Sequence, residues 1–271
     1  MSRALRYLLA ALAGAFLATA VAVAVAGESD QVQPTTLDGL TVESLRPTGV
    51  GLPRVGADGT TGAGDYATPL KTYHDSGAYQ ADLKSVAAEA KQFLQKRLKK
   101  RSQKAKKCKK PGSKTDCPKG KPGLVLDIDE TSLSNYEEIA AANFTGTVGA
   151  LAAAAVSGDS PAIGPTRKLF NWATEHKVAV FFITGRPAAV PVIVTATEQN
   201  LRDEGYSGWK ELHFKDTGET TKEYKSSTRA EIEQEGYKIL VNMGDQDSDL
   251  SGGHAVRGFK LPNPYYFIGD E

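Results

Sequence analysis

Two aspartates stand two residues apart in Asp127-Ile128-Asp129-Glu130-Thr131, directly after the apolar run Leu124-Val125-Leu126. At a strand end, positions i and i+2 point the same way. One such carboxylate can attack a phosphorus centre while the other hands a proton to the leaving oxygen. Both would repel an arriving phosphate dianion, so this chemistry requires a divalent cation. Thr184-Gly185-Arg186 offers a hydroxyl, a glycine amide open to close approach and a guanidinium, which together could cradle a phosphate. Lys225 could pair with that phosphate or with the nucleophile, with Lys222 as a nearby competitor. Asp245 and Asp249, in Gly244-Asp245-Gln246-Asp247-Ser248-Asp249, could complete an oxygen ligand set for Mg2+. Each group alone has a plainer reading: an acidic turn, a strand-to-loop turn, one lysine among many, an acidic loop. Their order favours the chemistry, because three of the four groups directly follow apolar runs.

Those runs are the elements that would position the groups. Leu124–Leu126, Val178–Ile183 and Tyr237–Val241 read as buried strands, and Glu211–Phe214 as a shorter one. Helices are expected over Thr166–His176, Val192–Glu204 and Ser226–Glu235. Continuous apolar strands alternating with helices predict an α/β fold, a parallel sheet with helices on both faces. Sites in such sheets form outside the carboxyl ends of the strands, here just after residues 126, 183 and 241. The Ala-rich segment Ile139–Val156 interrupts this rhythm and reads as part of a small helical cap, around residues 132–165.

The rest of the chain frames that core. It has 271 residues, 40% of them hydrophobic, enough for one large α/β domain behind an export segment. Arg3 and Arg6 precede an uncharged stretch, Tyr7–Ala26, ending in the small-x-small form Ala24-Val25-Ala26. Residues 1–26 therefore read as a signal peptide or a retained N-terminal anchor. Removing them takes two positive charges from a net +1 and leaves −1, so overall charge excludes no partner class. Residues 27–74, rich in Gly, Pro, Thr and Asp, read as a linker or extended arm. A domain is expected over 75–271, opening with a helix capped by Asp75 or Ser76. Tyr79, Leu83, Val86, Ala87, Ala90, Phe93, Leu94 and Leu98 form one apolar face of that helix.

Residues 91–121 carry 14 Lys or Arg and a single acid, Asp116. This stretch, chiefly residues 96–121, could attract polyanions weakly, or it could be a solvated helix end. Specific nucleic-acid recognition is not expected, since no aromatic follows Phe93 there to stack on a base. Cys108 and Cys117 flank Pro111-Gly112 and read as one local disulfide in an exported protein.

Taken together, the segments LDIDETSLSNY, FFITGRP, GYSGW, YKSSTR, NMGDQDSDLSGG and FKLPNPYYFI resemble the haloacid dehalogenase superfamily. Within it they resemble the acid phosphatase branch, which includes bacterial class B-like and outer-membrane acid phosphatases and plant vegetative storage proteins. The likeness spans residues 75–271. It implies a Rossmann-like sheet with a small cap, Asp127 as nucleophile and Asp129 as acid, then base. It implies Thr184, Gly185 and Lys225 at the phosphate, and Mg2+ held by Asp127, the Asp129 carbonyl and Asp245, with Asp249 in support. The chain departs from the branch in its Lys-rich stretch, in Asp247 where Trp is common, and in lacking the lipid-attachment Cys of the bacterial lipoprotein members.

The expected activity is hydrolysis of phosphomonoesters, nucleotides among the candidates, by an exported Mg2+-dependent enzyme. The alternative is a non-catalytic storage or polyanion-binding protein of the cell envelope on the same scaffold. If the export segment is cleaved, protein recovered from its native host begins near Gly27 by N-terminal mass spectrometry. A start at Met1 or Ser2 in the membrane fraction establishes the anchor instead.

Overall fold

A computed structural model of the chain describes residues 67–216 and 218–268. Five strands form one parallel sheet in the order β3-β2-β1-β4-β5. They are β1 (Lys121–Leu126), β2 (Ala179–Pro187), β3 (Glu211–Lys215), β4 (Tyr237–Gly244) and β5 (Gly258–Lys260). The first four were expected. β5 is three residues long, too short for a periodic pattern to register.

The pleat sorts the apolar runs onto two faces. Leu124, Leu126, Val180, Phe182, Leu240 and Met243 turn to one side, Val125, Phe181, Ile183 and Ile239 to the other. The first face packs under α1 (Ala67–Asp75), α2 (Ala78–Cys108) and α5 (Gly164–Glu175). The second packs against Tyr224 and Ile232 of α7 (Thr221–Gln234). Helices therefore cover both faces, as continuous apolar strands require. α6 (Pro191–Asp203) follows β2 and adds Leu201 to the larger cluster.

Three boundaries differ from the sequence reading. The arm expected over 27–74 ends in a helix, because Ala67, Leu70 and Tyr73 share a face and bury it in the core. The rest of that arm, and residues 1–26, lie outside the described residues. Asp75 closes α1 instead of capping α2, whose N-cap is Gly77 in the left-handed region at φ 81°. Ser76 Oγ accepts a bond from the Ala78 N–H at 3.4 Å. α7 begins five residues before Ser226 because Thr220 and Glu223 form a capping box, each side chain bonding the other's backbone N–H at 3.2 Å.

The cap region holds two helices, α3 (Tyr136–Ala141) and α4 (Thr147–Ser157). Asn143 and Phe144, at φ 52° and 58°, break the run between them. Ile139, Phe144 and Ala150 join the main core, and the Phe144 ring lies 5.8 Å from that of Tyr265 near the C-terminus. Cys108 and Cys117 form the expected disulfide, with Cα atoms 5.2 Å apart.

Leu94 of α2 is fully buried in the layer that joins this helix to the sheet. Leu94→Ala is expected to cost about 2–5 kcal/mol in urea unfolding with an unchanged m-value. A loss under about 1 kcal/mol would mean the site collapses around the cavity.

Candidate active site

β1 and β4 end side by side, with Leu126 paired to Met243. Asp127 follows Leu126 and its N–H bonds the Met243 carbonyl at 3.0 Å. Asp245 follows Gly244 directly. A short helix, α8 (Asp247–Leu250), turns Asp249 back toward both. One oxygen from each of these buried aspartates lies within 4.8 Å of the others. Lys225, in the second turn of α7 and not ahead of it as the sequence reading had it, enters from the opposite face. Its Nζ donates to Asp127 Oδ1 at 2.5 Å and to Asp249 Oδ1. Of the two lysines considered, Lys225 thus reaches the aspartate cluster.

The charges strain one another. Burial and the neighbouring Asp249 push the Asp127 carboxyl well up, against the pull of Lys225. Burial and Asp249 also raise Asp245. Burial works against the charge on Lys225, but Asp127 and Asp249 hold it protonated above the ordinary lysine range. An all-oxygen, buried, carboxylate-rich set of this size fits a hard divalent cation. Asp249 has its Oδ1 on Lys225 and its Oδ2 on the Gln246 N–H at 2.7 Å, so it orients the lysine and the loop.

Asp129 stands apart from that cluster. Arg186 Nη2 donates to its Oδ1 at 2.8 Å, Arg186 Nε reaches both oxygens at 3.2 Å, and Asn135 Nδ2 donates at 2.8 Å. Burial alone would raise the Asp129 carboxyl, but Arg186 and Asn135 bring it below the usual carboxylate range. In the free site Asp129 is thus ionised, not protonated. Its side chain does not join the metal group, which leaves its backbone carbonyl as the contribution the sequence resemblance implied. Arg186 is itself buried and also donates to Thr197 Oγ1 at 2.7 Å, so it braces Asp129 where the sequence reading had it at the phosphate.

Thr184 and Gly185 lie on the next strand, where Leu126 pairs with Phe182. β2 continues to Pro187, but its pairing with β3 breaks between Thr184 and Pro187, an irregularity of the kind that re-aims side chains beside sites. Thr184 is fully buried and its Oγ1 accepts the Arg186 N–H at 3.1 Å. A Cβ at Gly185 would meet only the Thr221 methyl, at 3.6 Å, so the scaffold itself does not demand glycine there.

Several supporting residues escaped sequence reasoning. Asp245 is held by Thr131 Oγ1 at 3.1 Å, and by Gln246 Nε2 and Asn263 Nδ2, both at 2.7 Å. Lys260 Nζ donates to the Asp245 carbonyl. The FKLPNPYY segment thus braces a carboxylate of the acidic cluster. Glu130, at φ 49°, accepts from the Asn135 N–H and the Tyr266 hydroxyl, both at 2.6 Å. Burial, with Asp129 and Asp245, pushes Glu130 up to about 8. The only sequence signal for these residues was their place inside the segments that carried the resemblance.

A parallel sheet with helices on both faces, with carboxylates and a lysine gathered at its carboxyl ends, is a doubly wound α/β fold carrying a site suited to phosphate chemistry. The family described as HAD superfamily, subfamily IIIB (acid phosphatase) matches residues 59–269, and the chain is a member of it. It is 34% identical to Acid phosphatase 1 of Solanum lycopersicum, over 55% of this chain and 60% of that protein. It is 37% identical to the stem 28 kDa glycoprotein of Glycine max, over 41% of this chain and 45% of that one. With Vegetative storage protein 1 of Arabidopsis thaliana it shares 32%, over 53% and 54%. The matched stretches thus span 45–60% of these relatives' lengths. The Class C acid phosphatase of Bacillus anthracis has the same fold, with a TM-score of 0.57 at 18% identity over 76% of this chain and 87% of that one.

If Asn263 orients Asp245 for a cation, Asn263→Ala weakens divalent-metal affinity by about 10- to 100-fold. Titration calorimetry with Mg2+ on the folded variant reads this directly. Unchanged affinity would remove Asn263 as the residue that orients Asp245.

Proposed function

We propose that the protein is an exported, Mg2+-dependent acid phosphatase that hydrolyses small phosphomonoesters through a phosphoaspartate on Asp127. The observation that carries this reading is the pairing at the end of β1. Asp127 sits in a buried cation-ready cluster, and Asp129, two residues on, is held apart from it by Arg186 and Asn135. Family membership and the likeness to a plant acid phosphatase support it. The uncharged stretch Tyr7–Ala26 supports export. The storage-protein relatives keep a non-catalytic role in view, and the presence of both Asp127 and Asp129 favours catalysis.

Asp127, Asp245 and the Asp129 carbonyl would hold the Mg2+, which neutralises charge at the phosphate and at the nucleophile. Lys225, Thr184 and the Gly185 amide bind the phosphoryl oxygens. Asp127 Oδ attacks phosphorus, the P–O ester bond breaks, and the departing oxygen takes a proton from Asp129. Because Asp129 is ionised in the free site, that proton arrives with the substrate: a phosphomonoester below its second pKa of about 6 is a monoanion. Water then attacks the phosphoaspartate, the bond from phosphorus to Asp127 breaks, and Asp129 accepts the water's proton and passes it to the departing phosphate, which leaves as the monoanion with both aspartates restored.

Asp127→Asn is expected to abolish release of p-nitrophenol from p-nitrophenyl phosphate in a folded variant, and EDTA to silence the wild type. Turnover within about tenfold of wild type in that variant would sink the nucleophile assignment. Asp129→Asn should slow alkyl phosphate hydrolysis by about 10²- to 10⁴-fold while first-turnover release of p-nitrophenolate, a good leaving group, falls less. Rapid quench should also trap phosphoenzyme; equal losses on both substrates with none trapped would contradict the acid and base role.

A further inference from the structure

The end of α2 is not explained by packing. Its buried residues are Tyr79, Leu83, Ala87, Ala90 and Leu94, and Leu98 is the last side chain of α2 against the core. From Lys99 the helix runs on to Cys108 without a buried residue, about 15 Å of rise. Residues 96–121 hold 13 Lys and Arg and one acid. Lys96 and Lys100, Arg97 and Arg101, and Lys100 and Lys104 stand four apart, a spacing at which like charges destabilise a helix. None of the 13 forms an ion pair with a described carboxylate. The projecting end is nevertheless fastened twice. Cys108 is bonded to Cys117, and Arg101 Nη2 donates to the carbonyls of Lys119 and Gly120 at 3.1 and 2.5 Å.

This cationic spine is fastened to the amino end of the sheet, the pole opposite Asp127. Lys121 starts β1 there and borders a cleft of about 430 Å3 shared with Lys177, Trp209, Lys210 and Tyr237. Glu211 takes Lys210 at 3.0 Å, so the surplus charge lies on Lys121, Lys177 and the spine. Both rings of the cleft are engaged: Lys121 lies over Tyr237 at 5.7 Å, and Arg202 over Trp209 at 5.1 Å. No ring is left as a platform for a base. Nor does this face carry an apolar group to enter a bilayer, since the one exposed large hydrophobe among the described residues is Val192, on α6. Eleven of the 13 cations are Lys, compact point charges that can each meet one phosphate without a fixed bidentate geometry, as a flexible chain of phosphates requires.

We propose that this face binds a flexible linear chain of closely spaced phosphates that carries no bases, leaving the carboxyl-end site facing away from the polymer. The probe is inorganic polyphosphate, titrated by fluorescence anisotropy in EDTA so that turnover is silent, at low and physiological salt. K106Q/K107Q/K109Q/K110Q is expected to weaken binding about tenfold or more and to flatten its salt dependence, because counterion release scales with the phosphates neutralised. The same four positions changed to Arg should keep binding, and turnover of p-nitrophenyl phosphate should match wild type in both variants. Equal binding by the Gln variant overturns the proposal. So does affinity for duplex DNA, poly-glutamate or phosphatidylglycerol vesicles equal to or tighter than that for polyphosphate.

Discussion

The carboxyl end of this sheet is governed by one constraint: three buried carboxylates lie within 4.8 Å of one another. Like charges that close, away from water, raise one another's pKa, and Asp127 and Asp245 both feel that push. Lys225 relieves part of it by touching Asp127 and Asp249 together. The remaining negative charge makes the cluster receptive to a hard cation. Asp129 stays out of this contest because Arg186 and Asn135 draw it to the other side. Two carboxylates two residues apart therefore meet different surroundings, the condition for giving them different tasks.

Holding such a cluster takes donors from distant parts of the chain. Ser132 Oγ donates to the Asp127 carbonyl at 2.6 Å, and Tyr206 donates to the Ser132 carbonyl at 2.8 Å. Asn135, which steadies Asp129, has its own carbonyl oxygen satisfied by Ser160 Oγ at 2.9 Å, and Asn200 of α6 bonds the Ser160 carbonyl at 2.9 Å. Tyr266 and Asn263 close the network from the C-terminal segment. Hydrogen-bonded chains of this kind link the cap and α6 to Asp129 and the C-terminal segment to Asp245 and Glu130. The cap thus shares the core and the hydrogen bonds of the domain it covers.

A net charge of +1 conceals a strong separation of charge. The buried cluster of Asp127, Asp245 and Asp249 lies at one pole of the sheet, and the cations of residues 96–121 at the other. The two ends are joined through α2, whose Tyr79 packs 5.2 Å from the Tyr265 ring beside the site region and whose Arg101 fastens to the start of β1. The acidic pole follows from the fold's direction, since parallel strands bring the residues after β1 and β4 to the same end; the basic pole comes from the end of α2 and the loop after it.

Most of the scaffold was legible in the sequence. Buried strands of a parallel sheet are continuous apolar runs, so β1, β2 and β4 announced themselves, and with them the places where Asp127, Thr184 and Asp245 had to lie. The capping box at Thr220 and Glu223 was also written there and would have started α7 correctly. The first helix was hidden because Ala67, Leu70 and Tyr73 make too few apolar steps to stand out from a polar arm. Local pattern could name the charged residues but not pair them. Lys225 on Asp127 joins residues 98 apart, Arg186 on Asp129 joins residues 57 apart, and Tyr266 on Glu130 joins residues 136 apart. Which arginine braces an acid and which aspartates share a lysine depend on distances of a few ångströms between strand ends, and only the folded chain sets those.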